Sequence, residues 1–226
     1  MQKLLQKEQD MSAAAIFDVD GTLFYSMHVW EYFARNFLCR CGVPVREDAD
    51  DVVRYMCLAE TAEFFINECG VAGSPEEVMA ECNKMLEEEY FYNVQPKENV
   101  HELLEFLREN NIPAYIATAT DRYLVEAALK RCGIDKYFCG ILTCTEAGAG
   151  KTKPDIFYQA AEKMGSAPEN TWIFEDALHA VTTAKKAGFK VCTIYDESES
   201  DHRAELEALS DIYIENFEQL DKTKLL

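Results

Sequence analysis

The chain has 226 residues, 48% hydrophobic and 28% charged, which is the composition of a globular protein with a sizeable core and excludes a disordered one. Its 41 Asp and Glu against 22 Lys and Arg give a net charge of −19, the wrong sign for a nucleic acid or an anionic membrane as partner. No apolar run approaches the roughly 18 residues needed to span a bilayer.

The N-terminus, 1–10, is polar, lacks the apolar region of a signal peptide and reads as a short helix or frayed tail. Next comes Ala14-Ala15-Ile16-Phe17-Asp18-Val19-Asp20-Gly21-Thr22-Leu23, an apolar run of strand character that stops in two carboxylates, a glycine and a threonine. Residues two apart on a strand point to one side, so the expectation is that Asp18 and Asp20 sit together at the strand's C-terminal end. Two anions that close either bind a cation or hold a proton to higher pH. The plainer reading of the same letters is a strand running into an Asp-Gly turn.

From 27 to 96 the texture is helical, with amphipathic patterns over 29–39, 51–68 and 76–90 and a helix start at Ser74-Pro75-Glu76-Glu77. No strand pattern is legible there. Between Arg46 and Glu98 stand 14 acidic and 4 basic residues, mostly solvated helix faces, a surface that disfavours polyanions. This block reads as an all-helical insertion joined by linkers near Phe24-Tyr25-Ser26 and Gln95-Pro96-Lys97. The expected division is a core of 1–26 and 97–226 with a helical domain of 27–96.

After a helix over 99–110, strands and helices alternate. Strands are expected at 114–117, 137–143, 172–174, 190–194 and 212–214. Helices are expected at 121–132, from Pro154 to Met164, at 178–187 and near 203–209, three of them closed by Gly133, Gly165 and Gly188. Such alternation with short loops predicts an α/β fold, a parallel sheet covered by helices on both faces. Nine cysteines without a Cys-x-x-Cys pair read as buried free thiols of a reducing cytoplasm, not as disulfides or a zinc site.

Open parallel sheets bind ligands at their strand C-termini. Four such ends carry polar groups: Asp18 with Asp20, Thr118 with Ala119 and Thr120, Lys151 in Gly150-Lys151-Thr152-Lys153-Pro154-Asp155, and Glu175 with Asp176. Thr120 reads as the N-cap of the following helix, leaving Thr118 as the ligand contact. Several carboxylates beside one lysine and a hydroxyl compose a Mg²⁺-dependent phosphoryl-transfer site, because Mg²⁺ takes oxygen ligands and bridges to phosphate. In that chemistry Asp18 attacks phosphorus, Asp20 serves the leaving alcohol and then water as acid and base, and Lys151 with the Thr118 region neutralises the phosphoryl oxygens.

On Asp18-Val19-Asp20-Gly21-Thr22-Leu23, Ala117-Thr118-Ala119-Thr120, Gly150-Lys151-Thr152-Lys153-Pro154-Asp155 and Phe174-Glu175-Asp176, in that order, the chain resembles the haloacid dehalogenase superfamily. Within it the chain resembles the phosphatases and β-phosphoglucomutase-type enzymes whose helical cap follows the first strand. The resemblance implies a Rossmann-like core with an inserted cap and a Mg²⁺ cofactor. It implies Asp18 as nucleophile and metal ligand, and Asp20 as acid/base that also gives its backbone carbonyl to the metal. Asp176 is then a metal ligand with Glu175 behind it, Thr118 and Ala119 hold the phosphoryl group, and Lys151 bridges it to Asp18. Lys153 is the solvated lysine of its loop. Tyr25, where many relatives carry aspartate, and Ala177 and Ala180, where relatives carry serine and glycine, are departures that remove none of these groups.

The expected function is hydrolysis of a small phosphorylated metabolite by a cytoplasmic, monomeric phosphatase. A sugar phosphomutase is the alternative, with His28, Arg35 and Arg54 as the cap cations available to a second phosphate. A non-catalytic binding protein on the same scaffold is the remotest.

Overall fold

A computed structural model describes residues 13–54 and 56–226; the reading of 1–10 lies outside them. Six strands form one all-parallel sheet: β1 (Ala14–Phe17), β4 (Ala114–Thr118), β5 (Phe138–Thr143), β6 (Thr171–Glu175), β7 (Lys190–Ile194) and β8 (Ile212–Ile214). Their spatial order is β5-β4-β1-β6-β7-β8. β1 is central and buried along its whole length, as a continuous apolar run on a sheet covered on both faces must be. Phe17 stacks on Phe174 of β6 at 4.3 Å between ring centroids, within a core that continues into the helical insertion.

From β1 the chain runs to β4 and β5 on one side, then crosses to β6, β7 and β8 on the other. That reversal opens a crevice at the C-terminal ends of β1 and β6, and Asp18 and Asp176 stand just beyond those ends. The helix Val100–Glu109, which leads into β4, buries Val100, Leu103, Leu104 and Leu107, one apolar stripe at helical spacing.

The insertion is helical, but its breaks differ from the periodicity. The span 29–39 is two helices, Met27–Trp30 and Phe33–Cys41, the second closed by Gly42 at φ 69°. The span 51–68 divides into Ala49–Val53 and Leu58–Asn67, because Cys57 starts a new helix through a capping interaction with Glu60. Pro75–Glu88 begins at Ser74 as the motif indicates, with Ser74 and Glu77 bonded reciprocally, and it ends in a π-helical turn, Glu89–Asn93.

The two linkers hold an element with no sequence signal: β2 (Phe24–Tyr25) and β3 (Gln95–Pro96) pair antiparallel. Two residues are too short for a period-2 pattern to register. All nine cysteines are free, but only Cys57, Cys82, Cys144 and Cys192 are buried, whereas Cys39, Cys41 and Cys139 are exposed. Among the described residues no helix is long and apolar enough to cross a membrane.

Candidate active site

Asp18 follows β1 directly, and its N–H donates to the Phe174 carbonyl at 3.0 Å, so the β1–β6 pairing carries right up to it. There the strand ends. The N–H groups of Leu23 and Phe24 both bond the Val19 carbonyl, and Gly21 adopts φ 74°. Asp20 stands just before this turn, in an isolated bridge with Phe24, and after burial its charge helps raise the pKa of Asp18. Its carboxylate is not part of the acid cluster. Oδ1 accepts from Ser26 Oγ at 2.6 Å and from the Tyr90 hydroxyl, and Oδ2 accepts from Thr120 Oγ1 at 2.6 Å.

β6 delivers Glu175 and Asp176, both almost fully buried. One oxygen from each of Asp18, Glu175 and Asp176 lies within 4.8 Å of the others. Thr22 Oγ1 donates to Asp176 Oδ1 at 2.8 Å, which ties the turn after β1 to the end of β6. The Lys151 ammonium is buried among them, donating to Asp18 and, at 3.0 Å, to Glu175 Oε2. Its loop follows the short helix Cys144–Ala147, where Thr143 and Glu146 form a capping box. Lys153 is exposed.

The charges do not balance. Burial raises the pKa of Asp18, against the pull of Lys151. Burial, then the charge on Asp18, lifts Glu175 and Asp176 well above the carboxylate range. On Lys151 burial works against the charge, yet Asp18 and Glu175 outweigh it and push the ammonium's pKa up. Lys151 pairs with two of the three buried acids, Asp18 and Glu175, while Asp176 feels the charge of Lys97, and every candidate ligand atom is a carboxylate oxygen. This donor set fits a hard divalent cation such as Mg²⁺ and gives nothing to a thiophilic one.

At the end of β4, Thr118 is fully buried and its Oγ1 accepts from Thr120 N–H at 3.1 Å; Ala119 adjoins it. The expectation for Thr120 is corrected. The helix Arg122–Arg131 starts from Asp121, and the Thr120 hydroxyl goes to Asp20 instead. The sequence also concealed Ser26 and Tyr90, since a linker serine and the last residue of an amphipathic pattern carry no signal. Lys97 is a third such residue: it is buried and pairs with Asp196 at 3.0 Å.

Segment 27–96 touches the rest of the chain on several sides. Arg54 donates to the Ser198 carbonyl and lies 3.7 Å from buried Glu199. Asn83 donates to Asp121, and the Tyr123 hydroxyl to Glu87 at 3.0 Å. His28 faces Glu89 at 3.6 Å and Arg35 faces Asp50 at 3.7 Å.

A parallel sheet of this order, with an aspartate after its central strand and a lysine and paired acids converging on it, defines a class of phosphoryl-transfer fold. The chain belongs to the haloacid dehalogenase-like hydrolase family, whose model matches residues 13–188. It is similar to the phosphorylated carbohydrates phosphatase of Thermotoga maritima, 27% identical over 197 residues covering 86% of this chain and 90% of that one. It is similar also to the validoxylamine A 7'-phosphate phosphatase of Streptomyces hygroscopicus subsp. limoneus, 28% identical over 202 residues covering 88% and 93%. Among solved structures, CbbY from Rhodobacter sphaeroides in complex with xylulose-(1,5)bisphosphate superposes with a TM-score of 0.79 at 21% identity, over 93% of this chain and 97% of that one; that likeness is one of fold.

Proposed function

We propose that this site hydrolyses the phosphomonoester of a small metabolite through a phosphoryl group carried on Asp18. The observation that carries the reading is the Asp18–Lys151 pair, buried at the end of the central strand with Glu175 and Asp176 behind it. The family and the phosphatase relatives support the same reaction class.

An Asp18 oxygen attacks phosphorus, and the bond from phosphorus to the leaving oxygen breaks. Asp20 gives its proton to that oxygen and the alcohol departs. Asp20, now ionised, takes a proton from water as the water oxygen attacks the aspartyl-phosphate. The bond from phosphorus to Asp18 breaks, inorganic phosphate leaves, and both acids return to their starting state. Lys151 holds Asp18 in place and compensates the phosphoryl charge, while Thr118 and Ala119 receive the phosphoryl oxygens. Asp18, Asp176 and the Asp20 carbonyl are the groups for Mg²⁺, which when bound supplies charge compensation at the phosphoryl oxygens. Residues 27–96 act as a cap over the crevice, and 1–26 with 97–226 as the catalytic core.

The mutase alternative needs a second phosphate gripped under the cap. Its three candidate cations, His28, Arg35 and Arg54, already face Glu89, Asp50 and Glu199, which weighs for hydrolysis. The direct test is a screen of phosphorylated metabolites with Mg²⁺, read as free phosphate from the wild-type chain and from Asp18→Asn. Release from several small monoesters by the wild type alone is expected; equal release by both proteins would overturn the reading.

A further inference from the structure

Among the described residues Tyr90 is the largest fully buried side chain, yet its hydroxyl is spent neither on backbone nor on packing. It donates to Oδ1 of Asp20 and accepts from Trp30 Nε1 at 3.2 Å. Tyr90 lies in the π-helical turn Glu89–Asn93, an irregular element that recurs at functional sites. Trp30 ends the first helix of the insertion, so the contact joins its beginning and its end to the turn after β1.

Hydrogen-bond accounting gives the contact a direction. An indole N–H only donates, so the phenol oxygen takes the Trp30 proton and turns its own toward Asp20. With Trp30 donating to the phenol oxygen, the one proton Tyr90 carries faces Asp20 Oδ1. Ser26 and Thr120 also bond Asp20, but an aliphatic hydroxyl rotates and changes from donor to acceptor at little cost. The Tyr90 hydroxyl has one other neighbour, Thr120 Oγ1, at 3.4 Å, a longer contact than the one it makes to Oδ1. When Asp20 carries a proton, Oδ1 is therefore already claimed by a phenol whose shortest bond is to that oxygen.

We infer that Tyr90 is a positioning residue for Asp20, reserving Oδ1 as an acceptor so that Oδ2 is the oxygen that carries and delivers the proton. This rests on the proposed acid/base role of Asp20 and adds to it a specific oxygen and the Trp30–Tyr90 relay that selects it.

The test uses leaving groups of different need. p-Nitrophenolate leaves with little help from an acid, whereas an alkoxide must be protonated as it departs. Tyr90→Phe keeps the ring and removes only the hydroxyl. It is expected to lower kcat about tenfold on the alkyl phosphomonoester that the wild type turns over fastest, and less than about threefold on p-nitrophenyl phosphate, with KM on both within about twofold. Equal losses on the two substrates, or no loss on either, would overturn the inference. Should Tyr90→Phe not fold, Trp30→Phe removes the N–H that sets the phenol's direction and must show the same selective loss. Asp20→Asn, measured on the same pair, separates the two readings. If it spares the aryl ester selectively and Tyr90→Phe does not, the relay fails and the role of Asp20 stands; if Asp20→Asn shows no selectivity, the role of Asp20 itself fails.

Discussion

Gly21 and Asp176 touch across the site: a Cβ added to Gly21 would stand 2.7 Å from the Asp176 carboxylate carbon and closer still to one of its oxygens. The same residue sits at φ 74°, where any side chain is strained. The glycine of the first motif thus serves the fourth. Gly21→Ala is expected to displace Asp176, cost about 1–2 kcal/mol of stability from backbone strain, and lower kcat at least about tenfold. Thermal melts and steady-state kinetics read the two effects separately. A variant with wild-type turnover would show that Asp176 does not need its observed position.

Asp18→Asn removes the proposed nucleophile while leaving the Lys151–Glu175 pair at 3.0 Å in place. The variant should fold and melt much as the wild type does, yet lose at least about 100-fold in kcat, since no other group near phosphorus can replace the carboxylate. Residual turnover above a few per cent in a preparation free of wild-type enzyme would rule out the covalent route.

Much of this was legible before the structure, and what was not has physical reasons. The strands at 190–194 and 212–214 and the helix Arg203–Leu209 stand where the patterns put them, because continuous apolar runs and amphipathic spacing survive in a single sequence. Asp18, Glu175 and Asp176 stand at or just after the ends of β1 and β6, which the parallel topology brings together, and Lys151 reaches them from the loop after the helix Cys144–Ala147. Asp20 lies close enough to Asp18 for its charge to add to burial in raising the Asp18 pKa, although β1 stops at Phe17 and the Asp20 carboxylate turns to Ser26, Tyr90 and Thr120. Thr120 was misread because a threonine before a helix is a good cap on local grounds, and the Asp20 contact that claims it lies 100 residues away. Tyr90 and Ser26 are defined wholly by tertiary approach, which no local pattern encodes.

Chelation should abolish activity and Mg²⁺ restore it, because three buried acids converge where Lys151 pairs with Asp18 and Glu175 and the cation acting on Asp176, Lys97, is already paired with Asp196. Asp176→Ala is expected to raise the Mg²⁺ concentration for half-activation about 10- to 100-fold, and to shrink the rise in melting temperature that Mg²⁺ gives the wild type. Full activity in chelator would contradict the site.

His179 supplies a pH dependence. Burial, then the positive charges of Lys151 and Arg54, push its pKa down from 6.5 to about 4. Between those values the unfolded chain holds the extra proton and the native one does not, so stability falls as the pH drops from about 6.5 toward 4. His179→Gln cannot titrate and escapes that part of the loss. Urea midpoints measured from about pH 7.5 to about pH 4.5 should show the wild type losing ground to the variant on acidification. A gap between the two that stays constant with pH would mean that His179 is not held neutral in the fold.

The final prediction separates hydrolysis from phosphoryl return. Both routes load a phosphoryl group onto Asp18, so detecting that species decides nothing; its fate decides. A mutase must hold a second dianion under the cap long enough for the group to transfer back, and must keep water away meanwhile. Within 27–96 the candidate basic residues already have neighbours: His28 faces Glu89 at 3.6 Å, Arg35 faces Asp50 at 3.7 Å, and Arg54 faces Glu199 at 3.7 Å and donates to the Ser198 carbonyl. Turning Arg35 or Arg54 toward a phosphate gives up an existing ion pair, although buried Glu199 would keep His202 Nδ1 at 2.8 Å. Given hexose monophosphates and a bisphosphate activator, the chain should therefore release free phosphate at the rate of turnover, with isomer at least about tenfold slower. Isomer forming about tenfold faster than phosphate would overturn the phosphatase reading, and truncating His28, Arg35 and Arg54 singly would then identify the cation that leaves its acid for the second phosphate.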